Sequence, residues 1–553
     1  MVLMLLNRWK WLVLAIAVGL GACAQVKPVT EVAKANWVEA RTDNFIVVTN
    51  GSDARARRLI ENLEEFRRFA ITALEIEVSA AALPFTIYAV SNDSELQSLV
   101  ETAGVFGVFQ NSYRGGLAVV NVNARGPDGT DRVQRNETLR GPQYRVTGNT
   151  RVIGTEGVFH EYVHYLQALD PNQSYPLWFS EGYAEYLSTF RITPDGHYRV
   201  GEAPMHRVEE LRAGVPDPRT RRTGDPRFRW IPFDALLNAR GYDTGHGSGP
   251  LYGQAWLLTH YLLSDPARAE KLKAYLEASN VPTVDSVPVF EEVFGLTVSQ
   301  LGSRLRQYMR AGRFSTQRFD RPDEQLPEPV LSQVAPDDIR TRLGYVVLHF
   351  SPSLDKAETL LNEALAINPG NIPAQAWLAS LAFARNDDAE VDRLIKAAGP
   401  AARTNVEYLI LQGHVDVRRA VELFRAEDDT WREAVTRARR FFEAAIERDP
   451  NSVEPKLALA RTYFLSDYPP PDSALQVITR AHDQSPANIQ VRLALGHLLF
   501  RRGAVGTAQE HFEHVIVWSR NPEARRRARE MVEYIQAILA QTRPSEQSMD
   551  SAP

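Results

Sequence analysis

The sequence predicts a mixed α and β domain followed by an all-helical repeat domain. Three observations predict it. Over residues 36–315, short β-branched runs alternate with amphipathic helical stretches. Over 316–338 a set of prolines among acidic residues interrupts the pattern. Beyond that, proline-closed helix pairs recur with a 36-residue spacing. A chain of 553 residues exceeds what one hydrophobic core serves, so more than one domain is expected. Its formal net charge of −5 offers no strongly basic face, which argues against nucleic acid as a partner.

The N-terminal residues stand apart. Arg8 and Lys10 precede an apolar run from Trp11 to Leu20. A bilayer span needs roughly 20 residues, so this run suits a secretory signal instead. It closes on Leu20-Gly21-Ala22-Cys23, which resembles the lipobox of bacterial lipoproteins. That resemblance implies removal of residues 1–22, a lipid on Cys23 that holds the chain to a membrane and, with Ala24 next, an outer-membrane site facing the periplasm. A plain secretory signal with an incidental cysteine is the alternative. Cys23 is the sole cysteine, so an internal disulfide is unavailable and the fold must rest on packing and metal. Residues 23–35 read as a tether.

Asn44 to Thr49 is a β-branched run closed by Asn50-Gly51, a strand and turn. Ala54 to Leu74 carries Leu59, Leu63, Phe66, Phe69 and Leu74 at helical spacing. Phe85 to Val90 and Gly116 to Val122 read as further strands, and the polar stretch 124–150 as a long loop. Helices are expected over 152–169, 180–189, 251–263 and 267–276. The stretch 316–338, with Pro322, Pro327, Pro329 and Pro336, reads as a linker. In the helical part, 339–540, Pro450, Pro486 and Pro522 each follow a helix of alternating small and large apolar residues. This resembles the tetratricopeptide repeat, whose period is about 34 residues, and implies a solenoid that binds a protein partner. A non-repetitive helical bundle is the alternative. The polar tail 541–553 is expected to be disordered.

The chemistry concentrates in His160-Glu161-Tyr162-Val163-His164. Histidines four apart share one helix face, so both imidazoles can reach a single ion. Glu161 lies about 100° round the helix and can address a water instead. Downstream stands Trp178-Phe179-Ser180-Glu181-Gly182-Tyr183-Ala184-Glu185-Tyr186. Catalytic zinc sites take three protein ligands and keep one position open, and Glu181 would be the third. Glu185, one turn on, is placed to accept a hydrogen bond from a ligand imidazole.

This arrangement resembles the gluzincin superfamily of zinc peptidases, which includes thermolysin and the aminopeptidase N family. There the ligand Glu follows the second His by a similar interval, often in an E-G-x-A segment after a Trp. Here sixteen residues separate His164 from Glu181, slightly fewer than in aminopeptidase N relatives. Tyr252-Gly253-Gln254-Ala255-Trp256 resembles the Tyr-x-Lys-Gly segment of those relatives, whose Tyr stabilises the oxyanion, but Gln254 replaces the Lys. A packing role for Tyr252 is the alternative, and His246, in a glycine-rich stretch, is a rival electrophile.

The resemblance covers residues 36–315. It implies an α+β zincin-like metallopeptidase domain with Zn2+ on His160, His164 and Glu181, acting on a peptide or protein. Zinc would polarise the scissile carbonyl, Glu161 would serve as base and then acid, and Tyr252 or His246 would donate to the developing oxyanion. The glycine-flanked strand with Gly116, Leu117, Ala118, Val119 and Asn121 is expected as an edge along which an extended substrate lies, an ordinary strand being the alternative. It lacks the acidic residue with which aminopeptidase N relatives hold a free α-amino group, which favours an endopeptidase. A rival reading keeps the zincin domain as a catalytically weak scaffold for the repeats. Hydrolysis of a non-peptide amide is a third.

Overall fold

The computed structural model describes residues 26–542 except 80, 102–106, 128–131, 139–140, 148–149, 153, 170–174, 216–223, 226–227, 240–247, 280–284, 352, 466–468, 487 and 520. The expected signal 1–22, Cys23, His246 and residues 543–553 lie outside the described residues. Two compact units emerge, one ending at Glu407 and the other beginning at Tyr408.

In the first unit α1 (Val29–Ala33) leads into β1 (Trp37–Arg41), β2 (Phe45–Thr49), α2 (Asp53–Leu74), β3 (Phe85–Val90), α3 (Asp93–Val100), β4 (Gly107–Ser112) and β5 (Gly115–Asn121). Next come β6 (Arg125–Pro127), β7 (Arg132–Thr138), β8 (Gly141–Thr147), β9 (Thr150–Val152), α4 (Gly154–Leu169) and α5 (Leu177–Leu187). They are followed by β10 (Arg191–Ile192), β11 (Tyr198–Val200), α6 (Met205–Gly214), α7 (Phe233–Leu237) and α8 (Ser248–Leu263). The unit continues with α9 (Pro266–Ala278), α10 (Ser286–Phe294), α11 (Val298–Ala311), β12 (Gln317–Phe319), β13 (Val330–Val334), α12 (Pro336–Phe350), α13 (Leu354–Ile367), α14 (Ile372–Ala384) and α15 (Asp388–Ala398).

Six strands form the central sheet in the order β13-β1-β2-β3-β5-β4. β2, β3 and β5 are parallel, while β1, β13 and β4 run antiparallel to their neighbours. Parallel strands covered on both faces favour near-continuous apolar runs, which Phe45–Val48 supplies in full and Phe85–Val90 supplies apart from Thr86. One face meets α2 and α4 through aromatic rings. Tyr162 lies 5.0 Å from Phe45 and 5.2 Å from Phe85, and Phe159 stacks on Phe66 at 4.1 Å. On the other face Val48, Tyr88, Val90, Leu117 and Val119 pack against α1, α3 and α12. The result is an α+β region of three layers, and α4 is held to the sheet by Tyr162, which lies between its histidines.

Four expectations change. Residues 29–33 are not tether: Val29, Val32 and Ala33 are buried, and the Trp37 indole N–H donates to the Val32 carbonyl at 3.2 Å. Gly116, Leu117, Ala118, Val119 and Asn121 do not form an edge, because β5 is paired on both sides and β4 takes the outer place. β4 escaped notice because Gly107-Val108-Phe109-Gln110-Asn111-Ser112 lacks a β-branched run. The stretch 124–150 is not one loop, since β6 pairs with β9 and β7 with β8. The Pro-rich stretch 316–338 is no free linker, since β12 pairs with β11 and β13 with β1. Prolines on an edge strand's flanks cost no ladder bond, which is why they misled.

The second unit comprises the rest of α16 (Val406–Arg425) with α17 (Trp431–Arg448), α18 (Glu454–Thr462), α19 (Asp472–Gln484), α20 (Ile489–Arg501), α21 (Val505–Trp518) and α22 (Pro522–Thr542). Successive helices pack as hairpins around small-against-large pairs. A Cβ on Gly413 would stand 2.4 Å from the Phe442 ring, and one on Gly496 would stand 3.0 Å from that of Phe512. Small residues there let neighbouring helices close on a bulky ring.

Candidate metal centre

α4 and α5 carry the histidine pair and the expected carboxylate. His160 Nε2 and His164 Nε2 stand 3.2 Å apart, and Glu181 Oε2 is 3.3 Å from each. All three side chains are buried. Ligands held about 2.05 Å from a tetrahedral ion stand about 3.3 Å from one another, so the three atoms have the separation that a zinc-sized ion requires. Among the described residues no other group of three such side chains converges in this way.

The donor atoms also carry the right lone pairs. Ser180 Oγ donates to Gln167 Oε1 at 2.6 Å, which leaves it to accept from His164 Nδ1 at 3.2 Å. A proton on Nδ1 frees Nε2 to face His160 and Glu181. Around His160, burial works to lower the pKa, but the hydrogen bond with Glu181 and the charges of Glu185 and Glu161 outweigh it and raise it. Three carboxylates gathered round one buried imidazole call for positive charge. The set fits a divalent cation.

Three features align α5 and the elements around it. Gly182 packs so tightly on α8 that a Cβ there would meet the Ala255 carbonyl at 2.2 Å. That close approach brings Tyr252, one turn earlier on α8, to 6.2 Å from the His160 ring, centroid to centroid. Gln254, where the resemblance expects a Lys, instead bonds both backbone groups of Ile231, accepting from its N–H at 2.5 Å and donating to its carbonyl at 3.0 Å. Glu185 forms a buried ion pair with Arg207, whose Nε and Nη2 donate to Oε1 at 3.0 and 2.9 Å. The Arg207 guanidinium also lies over the Tyr252 ring at 4.8 Å. Burial opposes its charge, but Glu185 and Glu210 outweigh that and raise its pKa.

Glu161 is buried next to His160 on α4. Sequence reasoning missed Ser180, Gln167 and Arg207. Ser180 had a signal, since it directly precedes the expected ligand Glu181, whereas Arg207 lies 22 residues beyond Glu185 with no periodicity linking them.

The comparisons with known proteins divide along the chain. Residues 155–285, which span α4 to α9, match the family described as a protein of unknown function, DUF1570. Residues 353–415 match the tetratricopeptide repeat family. Within the helical part, residues 353–415 are thus of the tetratricopeptide-repeat type. These repeats supply a surface for protein–protein interaction. No curated protein matches the chain. Similar solved structures include a thermophilic repeat protein of Thermus thermophilus, at 18% identity over 36% of this chain and 99% of that one, TM-score 0.30. Pseudomonas aeruginosa pilF matches at 15% over 38% and 93%, TM-score 0.26. Yeast Tom70 matches at 14% over 60% and 70%, TM-score 0.28.

Proposed function

We propose that this chain is a zinc-dependent peptidase, an endopeptidase by preference, whose repeats recruit a substrate or partner protein. The single observation that carries the reading is the triangle of His160 Nε2, His164 Nε2 and Glu181 Oε2 with sides of 3.2 to 3.3 Å. A divalent ion held by these atoms supplies Lewis acidity and lowers the pKa of a coordinated water. Glu161 takes the proton from the attacking water and returns it to the leaving amine. The Tyr252 hydroxyl donates to the oxygen that becomes negative, while Arg207 beneath its ring and Glu185 behind the imidazole hold the geometry. The edge available to an extended substrate is β4 rather than β5.

The same proposal places the chain at the bacterial envelope, lipid-anchored at Cys23 and facing the periplasm, on the strength of the Trp11–Leu20 run and the Leu-Gly-Ala-Cys that closes it. Among the described residues no helix is long and apolar enough to cross a membrane.

The test is metal analysis of the full chain together with a proteome-wide cleavage comparison of wild type and Glu161→Gln. We expect zinc in both, and hydrolysis reduced by roughly 100-fold or more in the variant. Full hydrolysis in Glu161→Gln would remove the mechanism. Normal envelope function in that variant, lost instead on substituting the repeats, would leave a binding scaffold.

A further inference from the structure

Among the described residues, the second unit buries a cation that no acidic side chain answers. Arg492 on α20 is 2% exposed. Its one hydrogen bond among those residues runs from Nη2 to the Pro486 carbonyl at 3.2 Å, and its Nε has no partner. The preceding repeat shows what a satisfied cation looks like in this place. Lys456 lies 36 residues earlier and reaches back to the Pro450 carbonyl at 2.5 Å, as Arg492 does to Pro486. Lys456 then uses its remaining donors on the Ser452 carbonyl at 2.8 Å and Gln484 Oε1 at 2.7 Å. Arg492 lacks the acceptors that Lys456 has.

Three imidazoles lie close enough to Arg492 to feel its charge. His482 of α19 and His511 of α21 pack edge to face with centroids 5.4 Å apart, and His514 lies one turn beyond His511. His482 Nε2 and His511 Nδ1 are buried atoms without partners, although both rings are only half-buried as a whole. Burial, reinforced by the Arg492 charge, pushes His482 down to about 3 and His511 to about 4. Both rings are therefore neutral near pH 7, and each keeps one N–H to give. A buried charge without a counter-charge costs several kcal/mol, a cost that an anion bound beside Arg492 would offset.

We propose that the place where α19, α20 and α21 meet binds an oxyanion, a carboxylate or phosphate group, with the buried Arg492 as its counter-charge and His482 and His511 as hydrogen-bond donors. Planar guanidinium forks suit both groups, and the partnerless His482 Nε2 and His511 Nδ1 are free to add a hydrogen bond each in the N–H tautomer. A divalent cation does not fit, because Arg492 repels it and the three imidazoles do not gather their nitrogens round one point. The inference is independent of the peptidase reading.

The test is titration of the full chain with inorganic phosphate and, separately, with acetate, followed by imidazole NMR and calorimetry. Saturable binding should move the His482 and His511 ring signals, and Arg492→Gln should weaken it about tenfold or more, in line with loss of a charge-assisted contact. His511→Gln, at a half-buried ring, gives a second reading if Arg492→Gln does not fold. Tighter binding of acetate assigns the site to a protein carboxylate, and tighter binding of phosphate assigns it to a phosphoryl group. The proposal is overturned if neither probe saturates, if the folded variants bind as the wild type does, or if Zn2+ binds there and phosphate does not.

Discussion

Gly182 and Ala255 set how near α5 comes to α8: a Cβ on Gly182 would lie 2.2 Å from the Ala255 carbonyl oxygen and 2.3 Å from Thr259 Oγ1. Both obstacles sit on a buried helix, and a backbone carbonyl cannot rotate away. Gly182→Ala should therefore separate the helices, at a cost of about 3 kcal/mol or more for forced overpacking. It should also draw Glu181 away from the histidines and lower zinc content. Thermal unfolding and metal analysis check it; an unchanged melting temperature would contradict the close packing.

Ser180→Ala tests how His164 is oriented. Its hydroxyl links Gln167 to His164 Nδ1, and no ligand atom is removed by the change. Metal affinity should fall by roughly 10- to 100-fold, the usual effect of losing such a partner. Competition with a chromogenic chelator measures it, with melting temperature as the control. An unchanged affinity would mean that the ring is positioned by packing alone.

The Glu185–Arg207 pair is buried on both sides, so removing one partner strands the other charge. Arg207→Met should cost about 3–5 kcal/mol in unfolding free energy. The double variant Glu185→Gln with Arg207→Met should lose less than the single Arg207 change, because the buried Glu185 carboxylate is no longer stranded and only the less buried Glu210 loses its partner. Denaturant unfolding of the set forms a mutant cycle, and a double variant less stable than the single would sink the account.

Glu65 ties α2 to the segment after β12. It accepts from Arg68 at 2.6 Å and from the Tyr198 hydroxyl, and it pairs with Arg321. Burial alone would raise its pKa, but the hydrogen bonds from Arg321, Tyr198 and Arg68 outweigh burial and hold it below 4.5. A depressed carboxylate stabilises the fold fully above its unfolded pKa and loses that contribution as pH falls through the folded value. Stability should thus decline below about pH 4.5, and Glu65→Gln should flatten that part of the profile. Unfolding titrations between neutral and acid pH compare the two; parallel profiles would exclude this role.

Much of this was legible in residue order. Phe85–Val90 is found at the bounds read from its β-branched run, and α2 and α8 lie within a few residues of their periodic patterns. His160, His164 and Glu181 converge as the motif spacing suggested. What misled were segments whose fate depends on distant partners. β4 and β13 are ordinary polar or proline-flanked stretches until β5 and β1 offer them a ladder. The tether reading failed at Val29–Ala33 because only the surfaces of α3, α12 and α13 make burying that short helix worthwhile.

Local order by itself determined long helices such as α2 and α8, the existence of strands β2, β3 and β5, the repeat period and the two imidazoles on one face, since each follows from spacings of a few residues along one element. Tertiary structure alone decided which strand forms the edge, that Ser180 sets the His164 proton, and that Arg207 sits between Glu185 and the Tyr252 ring. These depend on groups far apart in the chain meeting in a close-packed interior, where a contact exists only once every neighbour is in place.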